Sequence, residues 1–260
     1  MNVKMIVCDL DGTLLRTDKT VSDFTLEALE KCRQQGIIFA VATARSISGA
    51  RLFTNYMTPD ALVYNGGAGA TVGGNRIFEN PMPRDLVSAL INSLLSVGSL
   101  NFSTENDEGY FYHGTRAQYA DYLEGLGLKV AEIDPNGYIP PKHKLTAVIG
   151  QDKVPQILTD HPELAALTYS DTGQVRFALK NATKWHGVLA VAKHFSVNTA
   201  QIAAFGDDYN DIDMLQNCGM GIAMGNAIDD VKSVSDYICE TNDDDGVAKW
   251  LTKNILGGIK

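Results

Sequence analysis

Six aspartates fall in two short stretches near opposite ends of a 260-residue chain. The first stretch is Asp9-Leu10-Asp11-Gly12-Thr13; the second is Gly206-Asp207-Asp208-Tyr209-Asn210-Asp211, with Asp213 just beyond. Asp9 and Asp11 end an apolar run, and in a strand the side chains at i and i+2 point the same way. Carboxylates that close repel one another unless a cation or a proton sits between them. The cluster has no His or Cys, and such an oxygen-only donor set suits Mg²⁺, which keeps several of its waters. Helix capping is the ordinary use of aspartate and would explain Asp208 or Asp213 alone, but not the whole constellation. Lys184 is the second chemical signal. Val188, Val191, Ala192 and Phe195 have helical spacing, which predicts a helix over 184–195 with Thr183 as its N-cap. A lysine in the first turn opposes the helix dipole unless both face a bound anion such as phosphate. Taken alone, a solvated surface lysine is the commoner outcome.

Short β-branched runs alternating with helical patterns predict a parallel sheet covered by helices. Strands are expected at residues 4–8, 37–42, 61–64 and 202–205, with shorter ones at 220–224 and 237–239. A helix capped by Ser22 and closed by Gly36 separates the first two. Ligands of such sheets collect outside the carboxyl ends of the strands. There the chain places Asp9 and Asp11, Thr43-Ala44-Arg45, Asn65-Gly66-Gly67 and the second aspartate stretch. The middle of the chain reads differently. A helix at 85–95 is followed by β-like pieces at 110–112 and 146–149, between turns at Asp134-Pro135-Asn136-Gly137 and Pro140-Pro141. This predicts a separate α+β module of about 100 residues.

Composition sets the limits. A hydrophobic content of 45% supports packed cores and excludes a largely disordered chain. The net charge of −9 is shared by both modules: the middle holds 8 Lys/Arg and 12 Asp/Glu, leaving 14 and 19 for the flanks. Neither module offers a basic face, which argues against nucleic acid or an anionic membrane as partner. No apolar run approaches the ~20 residues that span a bilayer, and an aspartate at position 9 comes too early for a signal peptide. A soluble, cytoplasmic protein is expected, as a monomer or weak homo-oligomer. Cys8, Cys32, Cys218 and Cys239 form no Cys-x-x-Cys pair and read as buried free thiols.

These residues are familiar as a set. Asp9-Leu10-Asp11-Gly12-Thr13-Leu14-Leu15 resembles the first motif of the haloacid dehalogenase (HAD) superfamily, and the Gly206–Asp211 stretch resembles its fourth. Thr43 after a hydrophobic strand is similar to the second motif, and Lys184 to the third. Asn65-Gly66-Gly67-Ala68, Met224-Gly225-Asn226-Ala227 and Asn242-Asp243-Asp244-Asp245-Gly246-Val247-Ala248 resemble the Cof-type subfamily (IIB). Trp185-His186 departs from the glycine common after the third-motif lysine, which places bulk beside that site. Only 31 residues separate Asp11 from Thr43, whereas 140 separate Thr43 from Lys184. The insertion thus resembles the second (C2) type of cap. The resemblance implies a Rossmann-like open parallel sheet, a three-layer α/β core of residues 1–80 and 182–260, with an inserted α+β cap at 81–181.

It also implies a mechanism. Asp9 would attack phosphorus to form an aspartyl-phosphate, and Asp11 would serve as general acid and base. Mg²⁺ would be held by Asp9, the backbone carbonyl of Asp11 and Asp207, with Asp211 behind them orienting a metal-bound water or Lys184. Thr43, Lys184 and Asn210 would bind the phosphate oxygens, and Asn65, Gly66 and Arg45 are candidate substrate contacts. The expected function is a Mg²⁺-dependent phosphatase for small phosphorylated metabolites, sugar phosphates first among them. A phosphomutase uses the same pair of aspartates, and a non-catalytic sugar-phosphate-binding regulator is the other alternative. In the cap, His113, Arg116, Lys142, His143 and Lys144 are expected to be surface residues.

Overall fold

The computed structural model describes residues 2–106, 109–116, 118–137, 139–140, 142–169 and 172–257. Two sheets organise them. Before the insertion the chain forms β1 (Met5–Cys8), α1 (Asp23–Gln34), β2 (Ile38–Ala42), α2 (Ile47–Thr54), β3 (Ala61–Tyr64), β4 (Gly69–Val72) and β5 (Asn75–Glu79). The insertion contributes α3 (Arg84–Ser96), β6 (Asn101–Asn106), β7 (Gly109–His113), α4 (Gln118–Gly125), β8 (Lys129–Glu132), β9 (Leu145–Val148), α5 (Val154–Asp160), β10 (Leu164–Thr168) and β11 (Val175–Leu179). The chain then returns through α6 (Lys184–His194), β12 (Ile202–Gly206), α7 (Ile212–Asn217), β13 (Met220–Ala223), α8 (Asp229–Val234), β14 (Tyr237–Ile238) and α9 (Gly246–Asn254).

The core sheet runs β14-β13-β12-β1-β2-β3-β4-β5. From β14 to β3 all neighbours are parallel. Helices on both faces bury β1 completely, which is why Met5-Ile6-Val7-Cys8 has no polar alternation. β2 and β3 lie on one side of β1, while β12 and β13 lie on the other. The order therefore reverses between β1 and β12, and a ligand crevice opens at such a reversal. The register sets Cys8 against Phe205, so Asp9 and Asp207 emerge side by side. The sheet is mixed, since β4 and β5 add an antiparallel hairpin at its edge. No strand was expected there, because Gly69, Gly73, Gly74, Asn75 and Arg76 give it little β-branched or alternating character.

The second sheet, in the order β10-β11-β9-β6-β7-β8, is antiparallel except between β7 and β8. Its outer face packs Phe102, Leu145, Val175 and Phe177 against Val87, Leu90 and Leu94 of α3 and Ile157 of α5. Arg176, Thr146 and Ser103 lie in register across β11, β9 and β6 and occupy the other face. The predicted turn at 134–137 is present: Gly137 N–H donates to the Asp134 carbonyl and Asn136 N–H to its carboxylate. Of the predicted Pro140-Pro141 turn, Pro141 lies outside the described residues. The four cysteines are free thiols, and Cys8, Cys32 and Cys239 are buried. Among the described residues no helix is long and apolar enough to cross a membrane.

Candidate active site

Asp9 is fixed by the sheet itself, its N–H donating to the Phe205 carbonyl on β12 at 3.0 Å. Asp207 follows β12, and its Oδ1 accepts from the Thr13 hydroxyl at 2.8 Å. Gly12 makes this approach possible: it has φ +78°, and a Cβ there would collide with the Asp207 carboxylate. Asp211 closes the loop, with Oδ2 accepting the N–H groups of Asp207 and Asp208 at 3.1 and 3.2 Å. Its other oxygen faces Lys184. The Lys184 ammonium donates to Asp9 Oδ1 at 2.5 Å and to Asp211 Oδ1 at 2.6 Å. Lys184 is therefore no surface residue: its side chain is fully buried. The Thr183 hydroxyl caps α6, accepting from His186 N–H, and donates to Asp213 Oδ2 at 2.5 Å. That ties the start of α6 to α7.

The charges do not balance. Oxygens of Asp9, Asp207 and Asp211 lie within 4.8 Å of one another, with one lysine among them. Burial, reinforced by Asp211, pushes Asp207 up to about 7. Burial also raises Asp9, against the pull of Lys184 and helped by Asp211 and Asp207. Burial alone would lower the Lys184 ammonium, but Asp211 and Asp9 more than offset it and hold it protonated. Surplus carboxylate oxygen in a buried place is the donor set of a hard divalent cation, and these residues fit one.

Asp11 turns away from this cluster. Its carboxylate accepts two bonds from Arg45, at 2.6 and 2.8 Å, and one from Lys19 at 2.8 Å. Burial would raise Asp11, but these cations prevail and hold it at about 2. Arg45 thus pairs with Asp11. Thr43 is buried, and its hydroxyl accepts from Arg45 N–H. The Asn210 and Asp208 side chains each carry a buried oxygen, Oδ1, with no partner. Asn65 and Gly66 form a left-handed turn, at φ +52° and +68°, next to the 43–45 loop: Gly66 N–H donates to the Thr43 carbonyl.

The inserted sheet reaches this rim with charged residues expected at the surface. Lys142 and Lys144 are only 5% and 6% exposed, the first against the inserted sheet and the second against the core. The Lys144 ammonium donates to the Ala44 carbonyl at 2.6 Å, and Lys142 lies over the Phe111 ring. His143 Nδ1 is 3.1 Å from the Asn65 amide nitrogen, and burial holds its imidazole below the ordinary value. Arg116 is exposed, as expected, and pairs with Asp121 and Glu124. His113 stacks on Phe102. Sequence reasoning missed Thr13, Lys19, Glu105 and Arg176. Glu105 accepts from Ser46 N–H at the start of α2, and Arg176 caps carbonyls of the Asn65 turn. A lone arginine inside the apolar run Val175-Arg176-Phe177-Ala178-Leu179 is a readable sign of a buried charge, whereas Lys19 carries no such sign.

The family model for haloacid dehalogenase-like hydrolases matches residues 6–251. The chain belongs to that family. Among HAD-like relatives, it is 27% identical to the 5-amino-6-(5-phospho-D-ribitylamino)uracil phosphatase YitU of Bacillus subtilis (strain 168), over 95% of this chain and 96% of that one. A putative phosphatase of Haemophilus influenzae is 28% identical, over 96% and 98% of the two chains. In three dimensions the chain resembles the HAD subclass IIB sugar phosphatase BT4131, with a TM-score of 0.84 and 23% identity over 96% and 98% of the chains. The fold is thus HAD IIB-like, a core sheet with a second sheet forming the inserted cap.

Proposed function

We propose that this chain, a phosphatase of the HAD family acting on small phosphorylated metabolites, hydrolyses phosphate esters of sugars and related polyols. The observation that carries the reading is the buried Lys184 joining Asp9 and Asp211 beside Asp207 at the reversal of strand order. Lys184 occupies Asp9 Oδ1, which leaves Oδ2 as the oxygen that attacks phosphorus. The phosphoryl oxygens then take Thr43, Lys184 and Asn210 as donors, where charge builds in the transition state. Asp11, ionised beside Arg45, is set as the base that takes a proton from the hydrolytic water. To protonate the leaving alcohol first, it must be released by Arg45 and Lys19 and take up a proton from solvent, and the substrate phosphate offers Arg45 another partner. Asp9, the Asp11 carbonyl and Asp207 would hold Mg²⁺, with Asp211 beside them. The ion's chemistry is charge neutralisation, which lets a carboxylate approach a phosphate dianion.

Residues 81–181 would act as the cap over a core of 1–80 and 182–260. In support, Met82 N–H donates to the Lys142 carbonyl, and Met82 packs in the core of the second sheet. The polar face with Ser103 and Thr146 suits a hydroxylated leaving group. Two relatives point the same way, one named for a phosphoribityl substrate and one for sugar phosphates. The test is a panel of phosphate esters, with sugar phosphates beside flavin mononucleotide and pyridoxal phosphate, assayed with Mg²⁺ and with chelator. Sugar phosphates and flavin mononucleotide, itself a ribityl ester, should release inorganic phosphate faster than pyridoxal phosphate, without isomerised product, and chelator should stop them. An Asp9→Asn variant should lose at least about 10³-fold in turnover; near-full activity would remove Asp9 as nucleophile.

A further inference from the structure

Arg176 sits on the core-facing side of β11, and only 8% of the residue is exposed. Among the described residues no carboxylate pairs with it, and burial pulls its guanidinium below the ordinary value. What it meets is main chain. Its Nη2 donates to the carbonyls of Ala182 at 2.8 Å, Asn65 at 3.2 Å and Gly66 at 3.4 Å, while Nε has no partner. The guanidinium lies so close to Gly66 that a Cβ there would be 2.8 Å from Cζ.

Those carbonyls belong to two segments that bracket the start of α6. Asn65, Gly66 and Gly67 are consecutive left-handed residues, with φ +52°, +68° and +94°, a backbone that leaves its carbonyls outside the sheet ladder. Gly67 packs directly on the Thr183 carbonyl, where any Cβ would collide. Ala182 is two residues before Lys184. One buried cation therefore holds together the turn that α6 leans on and the peptide from which α6 begins. The Lys184 bonds of 2.5 and 2.6 Å leave little room for a shift of that start.

We propose that Arg176 is a positioning residue for Lys184, and that through it the docking of the inserted sheet sets the geometry of the phosphate-binding lysine. This rests on the role assigned to Lys184 above. The test is a double-mutant cycle in the full chain with Arg176→Met, Arg176→Lys, Lys184→Met and the Met/Met pair. Affinity for orthovanadate, a phosphate mimic, is measured by calorimetry with Mg²⁺, beside kcat and KM for an aryl phosphate. Arg176→Met should weaken vanadate about fivefold and lower kcat about tenfold, with KM within about twofold. Arg176→Lys should recover part of both losses, and it stands in should Arg176→Met fail to fold. On the Lys184→Met background the Arg176 change should cost less than about twofold. Equal losses on both backgrounds, or no loss on either, would overturn the coupling alone. A Lys184→Met variant that binds vanadate like the parent would overturn the role of Lys184, and the coupling with it.

Discussion

At the scale of single residues, what separates Asp9 from Asp11 is their company. Asp9 shares a buried site with two other carboxylates and one lysine, whereas Asp11 pairs with two cations. The second arrangement has a consequence for stability. Asp11 is held at about 2, below the ordinary ~3.9 of an unfolded aspartate. A carboxyl lowered on folding stabilises the fold at any pH above the unfolded value, and that contribution disappears as pH falls through the folded one. The full shift would be worth about 2.5 kcal/mol, but the Asp11 side chain is 37% exposed, and solvent screening cuts this to about 1 kcal/mol. In metal-free buffer, Asp11→Asn should thus be about 1 kcal/mol less stable to urea at pH 6, with the gap falling by about half at pH 3. A gap that widens toward acid would contradict the ion pair.

At the scale of elements, the site depends on two close approaches of backbone: Gly12 to Asp207, and Gly67 to Thr183. Gly67 and Gly74 separate the two costs of a side chain, since both have positive φ, +94° and +81°. Nothing lies within 4 Å of a Cβ at Gly74, so Gly74→Ala should cost only the left-handed backbone penalty, about 1–2 kcal/mol. Gly67→Ala adds a collision with a carbonyl that cannot move without displacing α6, so its unfolding free energy from urea titration should fall by at least about 3 kcal/mol. Equal effects at the two positions would mean that the contact at Thr183 is not tight. Elements of this kind were legible where burial was two-sided or helical. β1 and β12 read directly as unbroken apolar runs, and the start of α6 from Thr183 and its spacing. The β4–β5 hairpin was not legible, because an edge built from glycine and polar residues has no period to detect. Nor was the burial of Lys144. Its cover is the Ala44 carbonyl, 100 positions away, and no local pattern encodes a partner at that distance.

At the scale of the whole molecule, a small part of the net charge of −9 sits where the fold can least solvate it, as three carboxylates around one buried lysine. Burial holds Asp207 up at about 7, far above an unfolded aspartate, so in the metal-free protein the folded state binds a proton that the unfolded state has released. Between about pH 4 and pH 7 the native chain thus carries the extra proton, and stability falls as pH rises across that window. This window lies above that of Asp11, so the two effects do not overlap. A divalent cation bound at these carboxylates would replace the proton and remove the penalty. At a hundredfold excess over its dissociation constant, it adds about 2.7 kcal/mol, or roughly 5–10 °C in Tm for a chain of this size. Without metal, Tm should therefore drop between pH 5.5 and pH 8, and Mg²⁺ should restore it more at pH 8 than at pH 5.5, where protons compete. Asp207→Asn should lessen the metal-free slope, of which Asp9 keeps its own part, and abolish most of the Mg²⁺ gain. Scanning calorimetry of both proteins at the two pH values, with Mg²⁺ and with chelator, makes the comparison. A Mg²⁺ gain that survives in Asp207→Asn would place the ion elsewhere on the molecule.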